Sequence, residues 1–243
     1  MKINLNTASS PVANIPSETK IIVALDMQSA IAALDLCDRL PQVSFWKVGL
    51  ELFIADGNAI LRELKARDKK IFLDLKLHDI PNTVASACRM ATKYNADFLT
   101  IHASGGKSMM QAAQSEVEGS TTQLLAVSLL TSVSASELAS DLKVQLELPE
   151  YVSQMVLLAQ QSGLTGAVCS PHEVASLRSL LGDHFCFVTP GVRPTGAAVG
   201  DQSRVMTPQQ AIAAGANYLV IGRPITKAID PVAAWEQICR DLI

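Results

Sequence analysis

No run of lysine or arginine occurs in this 243-residue chain, whose 20 basic residues are outnumbered by 23 acidic ones for a formal net charge of -3. Electrostatic attachment to nucleic acid or to an anionic membrane surface therefore gains no support. No apolar stretch approaches the ~20 residues that span a bilayer. Residues 1–20 carry Ser9, Ser10, Pro11 and Pro16 but no apolar core of a secretion signal, so they are expected to fray. The five cysteines, Cys37, Cys88, Cys169, Cys186 and Cys239, are odd in number, scattered and without a CxxC pair. That usage fits buried free thiols in a reducing cytoplasm and speaks against zinc. What is present is 49% hydrophobic content, ample for one large core, and small molecules are the partners left to consider.

Short apolar runs alternate with longer amphipathic segments from residue 21 onward. The runs are 21–25, 45–48, 71–75, 98–101, 124–128, 166–169, 185–188 and 218–221. Between them, apolar residues recur at helical spacing, as in Ala30, Leu34, Cys37 and Ile60, Leu64, and again from Tyr151 to Gln161 behind Pro149. Eight such units without a linker or composition shift predict a single (β/α)8 TIM barrel over residues 20–243, preceded by a tail of residues 1–19. The sixth run is the least marked of the eight. A Ser134 to Glu137 capping box predicts an additional short helix within 134–150.

The third run carries the chemistry. In Ile71-Phe-Leu-Asp-Leu-Lys-Leu-His78 charges replace apolar residues at alternate positions, so Phe72, Asp74, Lys76 and His78 share one strand face and Ile71, Leu73, Leu75 and Leu77 the other. In a parallel sheet covered by helices both faces are buried, and an unpaired charge there costs several kcal/mol. Asp74, Lys76 and Asp79, with Lys47, form a set in which each charge can be flanked by its opposite. Two plainer readings stand beside the catalytic one: Asp74 and Lys76 as a structural ion pair, and Asp79, ahead of Pro81, as a helix cap. His78 and His102 read as structural residues. The glycines of His102-Ala-Ser-Gly-Gly106 serve a turn, and Met109, Met110, Trp46 and Trp235 are packing residues.

In a (β/α)8 barrel, functional groups gather where strands end. Asp26, Lys47, Asp74, Lys76 and Thr131 all fall at or just after strand ends. The long glycine-rich segment 189–204 suits a lid and brings Arg193, Gln202 and Arg204. After the eighth strand, Gly222 permits close backbone approach, Arg223 supplies a forked donor, and Pro224 opens a helix whose free N–H groups favour an anion. The two loops together read as a phosphate clamp.

Asp74-Leu-Lys-Leu-His-Asp-Ile-Pro-Asn-Thr83, with Trp46-Lys-Val-Gly49, Thr189-Pro-Gly-Val-Arg-Pro194, Gly200-Asp-Gln202 and Gly222-Arg-Pro-Ile-Thr226, resembles the orotidine 5′-phosphate decarboxylase family from about residue 19 to the end. The resemblance implies a homodimeric barrel converting orotidine monophosphate to uridine monophosphate and CO2 in de novo pyrimidine synthesis, without metal or organic cofactor. By that resemblance Lys76 is the proton donor and Asp74 the carboxylate beside the departing one. Lys47 and Asp79 complete the tetrad, and Asp79 and Thr83 reach into the partner's site. Asp26 binds ribose, Thr131 and Arg193 line the substrate site, and Gln202, Gly222 and Arg223 hold phosphate. Two alternatives remain at this stage. One is a magnesium-dependent sugar-phosphate decarboxylase or synthase on the same barrel, against which Lys47 and the His78-Asp-Ile-Pro-Asn82 stretch argue. The other is a catalytically silent nucleotide-binding protein, against which intact Asp74 and Lys76 argue.

Overall fold

The computed structural model of the protein describes residues 17–194 and 206–242. Eight parallel strands, β1 (Ile21–Leu25), β2 (Phe45–Gly49), β3 (Lys70–Leu77), β4 (Phe98–His102), β5 (Gln123–Val127), β6 (Gly166–Val168), β7 (Cys186–Thr189) and β8 (Tyr218–Ile221), pair in chain order and close with β8 against β1. The helices between them are α1 (Ala30–Arg39), α2 (Leu50–Ala66), α3 (Pro81–Thr92), α4 (Gly106–Val117), α5 (Ala135–Ser140), α6 (Leu148–Gln161), α7 (Pro171–Leu181), α8 (Pro208–Ala213), α9 (Arg223–Thr226) and α10 (Pro231–Arg240). The expected barrel is therefore present, with all eight strands within two residues of the apolar runs. Of the expected tail, Ser17–Thr19 open a 3-10 turn that ends at Lys20, directly before β1, and residues 1–16 lie outside the described residues.

Local chemistry sets the helix boundaries. α5 begins on the expected box: Ser134 Oγ accepts from the Glu137 N–H while the Glu137 carboxylate accepts from the Ser134 N–H. The same reciprocal pair opens α7 at Ser170 and Glu173 and α8 at Thr207 and Gln210. α2 is interrupted at Asp56, and the Asp56 carboxylate accepts from the Ala30 N–H, so the break caps the neighbouring α1.

Strand alternation divides the apolar residues into two cores. Ile21, Val23, Leu25, Trp46, Val48, Ile71 and Leu73 face outward against the helices, and Met109, Met110 and Trp235 pack in that layer. Ile22, Ala24, Phe45, Phe72, Phe98, Val127, Val168 and Val220 fill the barrel. At its N-terminal end the rings of Phe45, Phe98 and Tyr218, the latter two 5.3 Å apart centroid to centroid and edge-on, plug the interior. Above that plug, at the C-terminal end, the described residues line a cavity. All five cysteines are free, and burial pushes the thiols of Cys37, Cys88, Cys186 and Cys239 up to about 12.

Candidate active site

The mouth of the barrel holds a cavity of about 420 Å³ lined by Asp26, Lys47, Asp74, Lys76, Thr131, Arg193, Gly222 and Arg223, with Phe72 and the side chains of Val127, Val168 and Val220 as apolar walls. Each charged group arrives by the same rule: it lies near the C-terminal end of a strand or in the loop beyond it. Leu129, Leu130, Pro190 and Lys227 also line the space. Lys227 sits one helical turn beyond Arg223.

Four charges form an alternating chain across β1, β2 and β3. Lys47 Nζ donates to Asp26 Oδ1 at 2.9 Å and lies 3.5 Å from Asp74 Oδ2. Lys76 Nζ donates to both Asp74 oxygens, at 2.7 and 2.8 Å. Burial alone pulls the Asp74 carboxyl pKa upward, but Lys47, Lys76 and a hydrogen bond from Thr100 outweigh it and hold the group below its ordinary value. Asp74 is thus ionised between two ammoniums, each of which it fixes in place.

The strict alternation read from β3 holds through Asp74 and is then modified. Leu73 pairs with Leu99 but Leu77 pairs with Ile101, so four steps along β3 match only two along β4. Within this slip Lys76 adopts φ +50°, a left-handed conformation uncommon for a side chain without special local bonding. Its N–H donates to Thr100 Oγ1 at 2.8 Å, and that hydroxyl donates to Asp74 Oδ1 at 3.0 Å. Thr100 was not identified from sequence. The available signal is its position on β4, two residues beyond the inward-facing Phe98.

Asp79 and Thr83 are exposed, in the loop after β3 and in the first turn of α3, and do not line this chain's cavity. Lys76 at the bulge and Pro81 at the start of α3 bound a short excursion that carries Asp79 over the rim. Asp79 caps no helix N-terminus: its carboxylate accepts from the adjacent Ile80 N–H, and the N-cap position belongs to Ile80. Within one chain the second carboxylate beside Lys47 is Asp26. His78 is exposed and its ring lies 5.3 Å from that of half-buried His102, whose pKa is lowered by burial and then by His78 and Lys76. Gly106 takes φ +83° where the 3-10 turn Ala103–Gly105 ends and α4 begins, as its expected turn role requires.

The start of the expected lid is joined to the chain just past its end. Val192 bridges Met206, and the Arg193 N–H donates to Met206 O at 3.0 Å. Arg193 is buried against the cavity, and its guanidinium donates to Val192 O. Gln202 and Arg204 lie outside the described residues.

Counted over the described lining, Lys47, Lys76, Arg193, Arg223 and Lys227 set five positive charges against the two carboxylates Asp26 and Asp74, a formal excess of three. A divalent metal fits poorly where each carboxylate already has an ammonium in contact, and among the described residues no group of three metal-ligating side chains occurs. No helix among them is long and apolar enough to cross a membrane.

The model of the orotidine 5′-phosphate decarboxylase / HUMPS family matches residues 19–238. Orotidine 5′-phosphate decarboxylase of Gloeothece citriformis is 60% identical over 225 residues, covering 92% of this chain and 97% of the relative. Its counterpart from a Nostoc species is 57% identical over 233 residues, covering 93% and 98%. A crystal structure of orotidine 5′-phosphate decarboxylase from Lactobacillus acidophilus superposes with a TM-score of 0.82 at 38% identity, covering 92% of this chain and 99% of that one.

Proposed function

The chain belongs to the orotidine 5′-phosphate decarboxylase / HUMPS family, and from that membership together with the charge of its cavity we propose that it is a carboxy-lyase converting orotidine monophosphate to uridine monophosphate and CO2. The observation that carries this reading is the excess of three positive charges, which matches a phosphate dianion plus a carboxylate. Its placement also fits. Lys47 and Lys76 lie on β2 and β3, whereas Arg223 and Lys227 follow β8 on another part of the rim, so two ends of one nucleotide are accommodated.

The chemistry follows from what the substrate carbon requires. When the bond to the carboxylate breaks, CO2 departs and its bonding pair stays on a ring carbon with no carbonyl able to delocalise it. An ammonium held at that carbon stabilises the pair and then transfers a proton to it. Lys76 is held for this by both oxygens of Asp74, and Lys47 keeps Asp74 ionised. Asp26 suits a ribose hydroxyl, and Thr131 and Arg193 suit the base. Arg223 and the Gly222 backbone suit the phosphate, with Gln202 as a further donor. No step calls for a metal or an organic cofactor.

The working unit on this reading is a homodimer in the cytoplasm. Asp79 and Thr83, exposed and turned away from their own cavity, then complete the partner's site, and the exposed Ile80 between them supplies apolar contact. The conversion is tested by following ultraviolet absorbance of orotidine monophosphate in excess EDTA, with Lys76→Ala as control. Turnover that survives chelation and is lost in the variant is expected; a folded dimer that leaves the substrate unchanged overturns the reading. For the shared site, mixing inactive Lys76→Ala and Asp79→Ala chains and letting them reassort restores roughly a quarter of wild-type activity. A mixture that stays inactive despite reassortment refutes it.

A further inference from the structure

We infer that Thr100 is a positioning residue for the reaction, holding Lys76 through a closed ring of hydrogen bonds rather than touching substrate. The inference rests on the decarboxylase reading and adds to it a group on β4. Thr100 is fully buried and does not line the cavity. Its hydroxyl nevertheless meets the catalytic lysine at both ends. The Lys76 N–H donates to Oγ1, and Oγ1 donates to Asp74 Oδ1, whose carboxylate binds Lys76 Nζ. The ring runs from the Lys76 backbone through Thr100 and Asp74 to the Lys76 ammonium.

Two features show why a hydroxyl is needed there. The slip between β3 and β4 leaves Lys76 outside the regular strand pairing, which resumes at Leu77, so its N–H takes a side-chain acceptor in place of a carbonyl. A hydroxyl that accepts from an N–H must send its own hydrogen elsewhere, and the only orientation satisfying both contacts aims it at Asp74. Valine has the same shape but can do neither. Serine can do both. The left-handed backbone of Lys76, at φ +50°, is thereby held by a bond from outside its own strand, and the ammonium at the far end of the same residue inherits that placement.

The test compares Thr100→Val and Thr100→Ser with wild type. Since small misplacements of a reacting group cost up to about 100-fold in rate, Thr100→Val is expected to lower kcat for orotidine monophosphate by about 10- to 100-fold. KM and the affinity for uridine monophosphate, set mainly by the phosphate and ribose contacts that Thr100 does not touch, are expected to change less than about threefold. Thr100→Ser is expected to return kcat to within about threefold of wild type. Amide hydrogen exchange supplies a readout independent of turnover: the Lys76 N–H is protected in wild type and Thr100→Ser and exchanges faster in Thr100→Val. If Thr100→Val does not fold, Thr100→Ala and Thr100→Ser carry the same contrast. A wild-type protein that never decarboxylates sinks the decarboxylase reading. A wild type that turns over while folded Thr100→Val matches its kcat and its Lys76 protection overturns the role of Thr100 alone.

Discussion

Replacing Gly49 by alanine tests whether the position of the Lys47 ammonium sets the rate. Gly49 ends β2 beside Asp74 in the register, and its backbone is extended at φ -93° and ψ -177°, so alanine introduces no backbone strain. A Cβ there would stand 2.8 Å from Lys47 Nζ and 3.2 Å from Asp26 Oδ1, where ordinary contact begins at 3.4 Å. The ammonium must retreat by the difference, from 2.8 to 3.4 Å, and it can, because it ends a flexible side chain. If the whole retreat lengthens the 2.9 Å bond to Asp26, Coulomb attraction at an effective dielectric constant of ~20 weakens by about 1 kcal/mol. Water around the exposed Asp26 makes that a ceiling. A loss of about 1 kcal/mol expressed in the transition state is roughly fivefold in kcat/KM. Tm should move by no more than about 4 °C, measured by circular dichroism. Unchanged kcat/KM in a Gly49→Ala protein would refute the reasoning, since it would mean that displacing Lys47 has no consequence for the chemistry.

Two further predictions concern stability. Asp74 is held below its ordinary carboxyl pKa of 3.8, so the folded state binds fewer protons there than the unfolded chain; its contribution is full above 3.8 and is lost as pH falls through the lower folded value. Asp74→Asn should therefore melt below wild type at pH 7, and the gap should narrow as pH is lowered beneath about 4; a constant gap is the contrary outcome. Arg178 donates to the carbonyls of Gly182, Phe185 and Gly215 and to the Asn217 side chain, and stacks at 4.6 Å over Phe187, at the end of the barrel opposite the cavity. Arg178→Leu should cost about 3 kcal/mol, or roughly 6–12 °C in Tm, with kcat unaltered at a temperature where the variant is folded; a kinetic defect there would contradict it.

The parts of the molecule that were legible in sequence are those written locally. Apolar runs located all eight strands, even the three-residue β6, because a strand buried on both faces is predominantly apolar. The capping box at Ser134 and Glu137 located α5 for the same reason, its bonds being made within four residues. The charged rim was legible because strand ends converge, whatever their separation along the chain. What was not legible depends on pairing across strands. The slip of β3 against β4 leaves no mark in the β3 residues themselves, and Thr100 looks like any threonine in an apolar strand until Lys76 and Asp74, 24 and 26 positions away, are brought beside it. Asp79 is the converse case: its motif marks it, while its exposed position takes it out of its own chain's cavity.

The closure of β8 onto β1 has a consequence for what a ligand does to the whole molecule. The ionic chain comes from residues 26–76 and the mouth's other cations, Arg193, Arg223 and Lys227, from far along the sequence. They share one closed mouth because Ile21, Ile22 and Val23 are zipped to Leu219, Val220 and Ile221. A nucleotide gripping Lys76 and Arg223 together acts as a clasp across that seam. Its binding free energy is then added to the work of prising the first strand from the last, so occupancy and resistance to unfolding rise together.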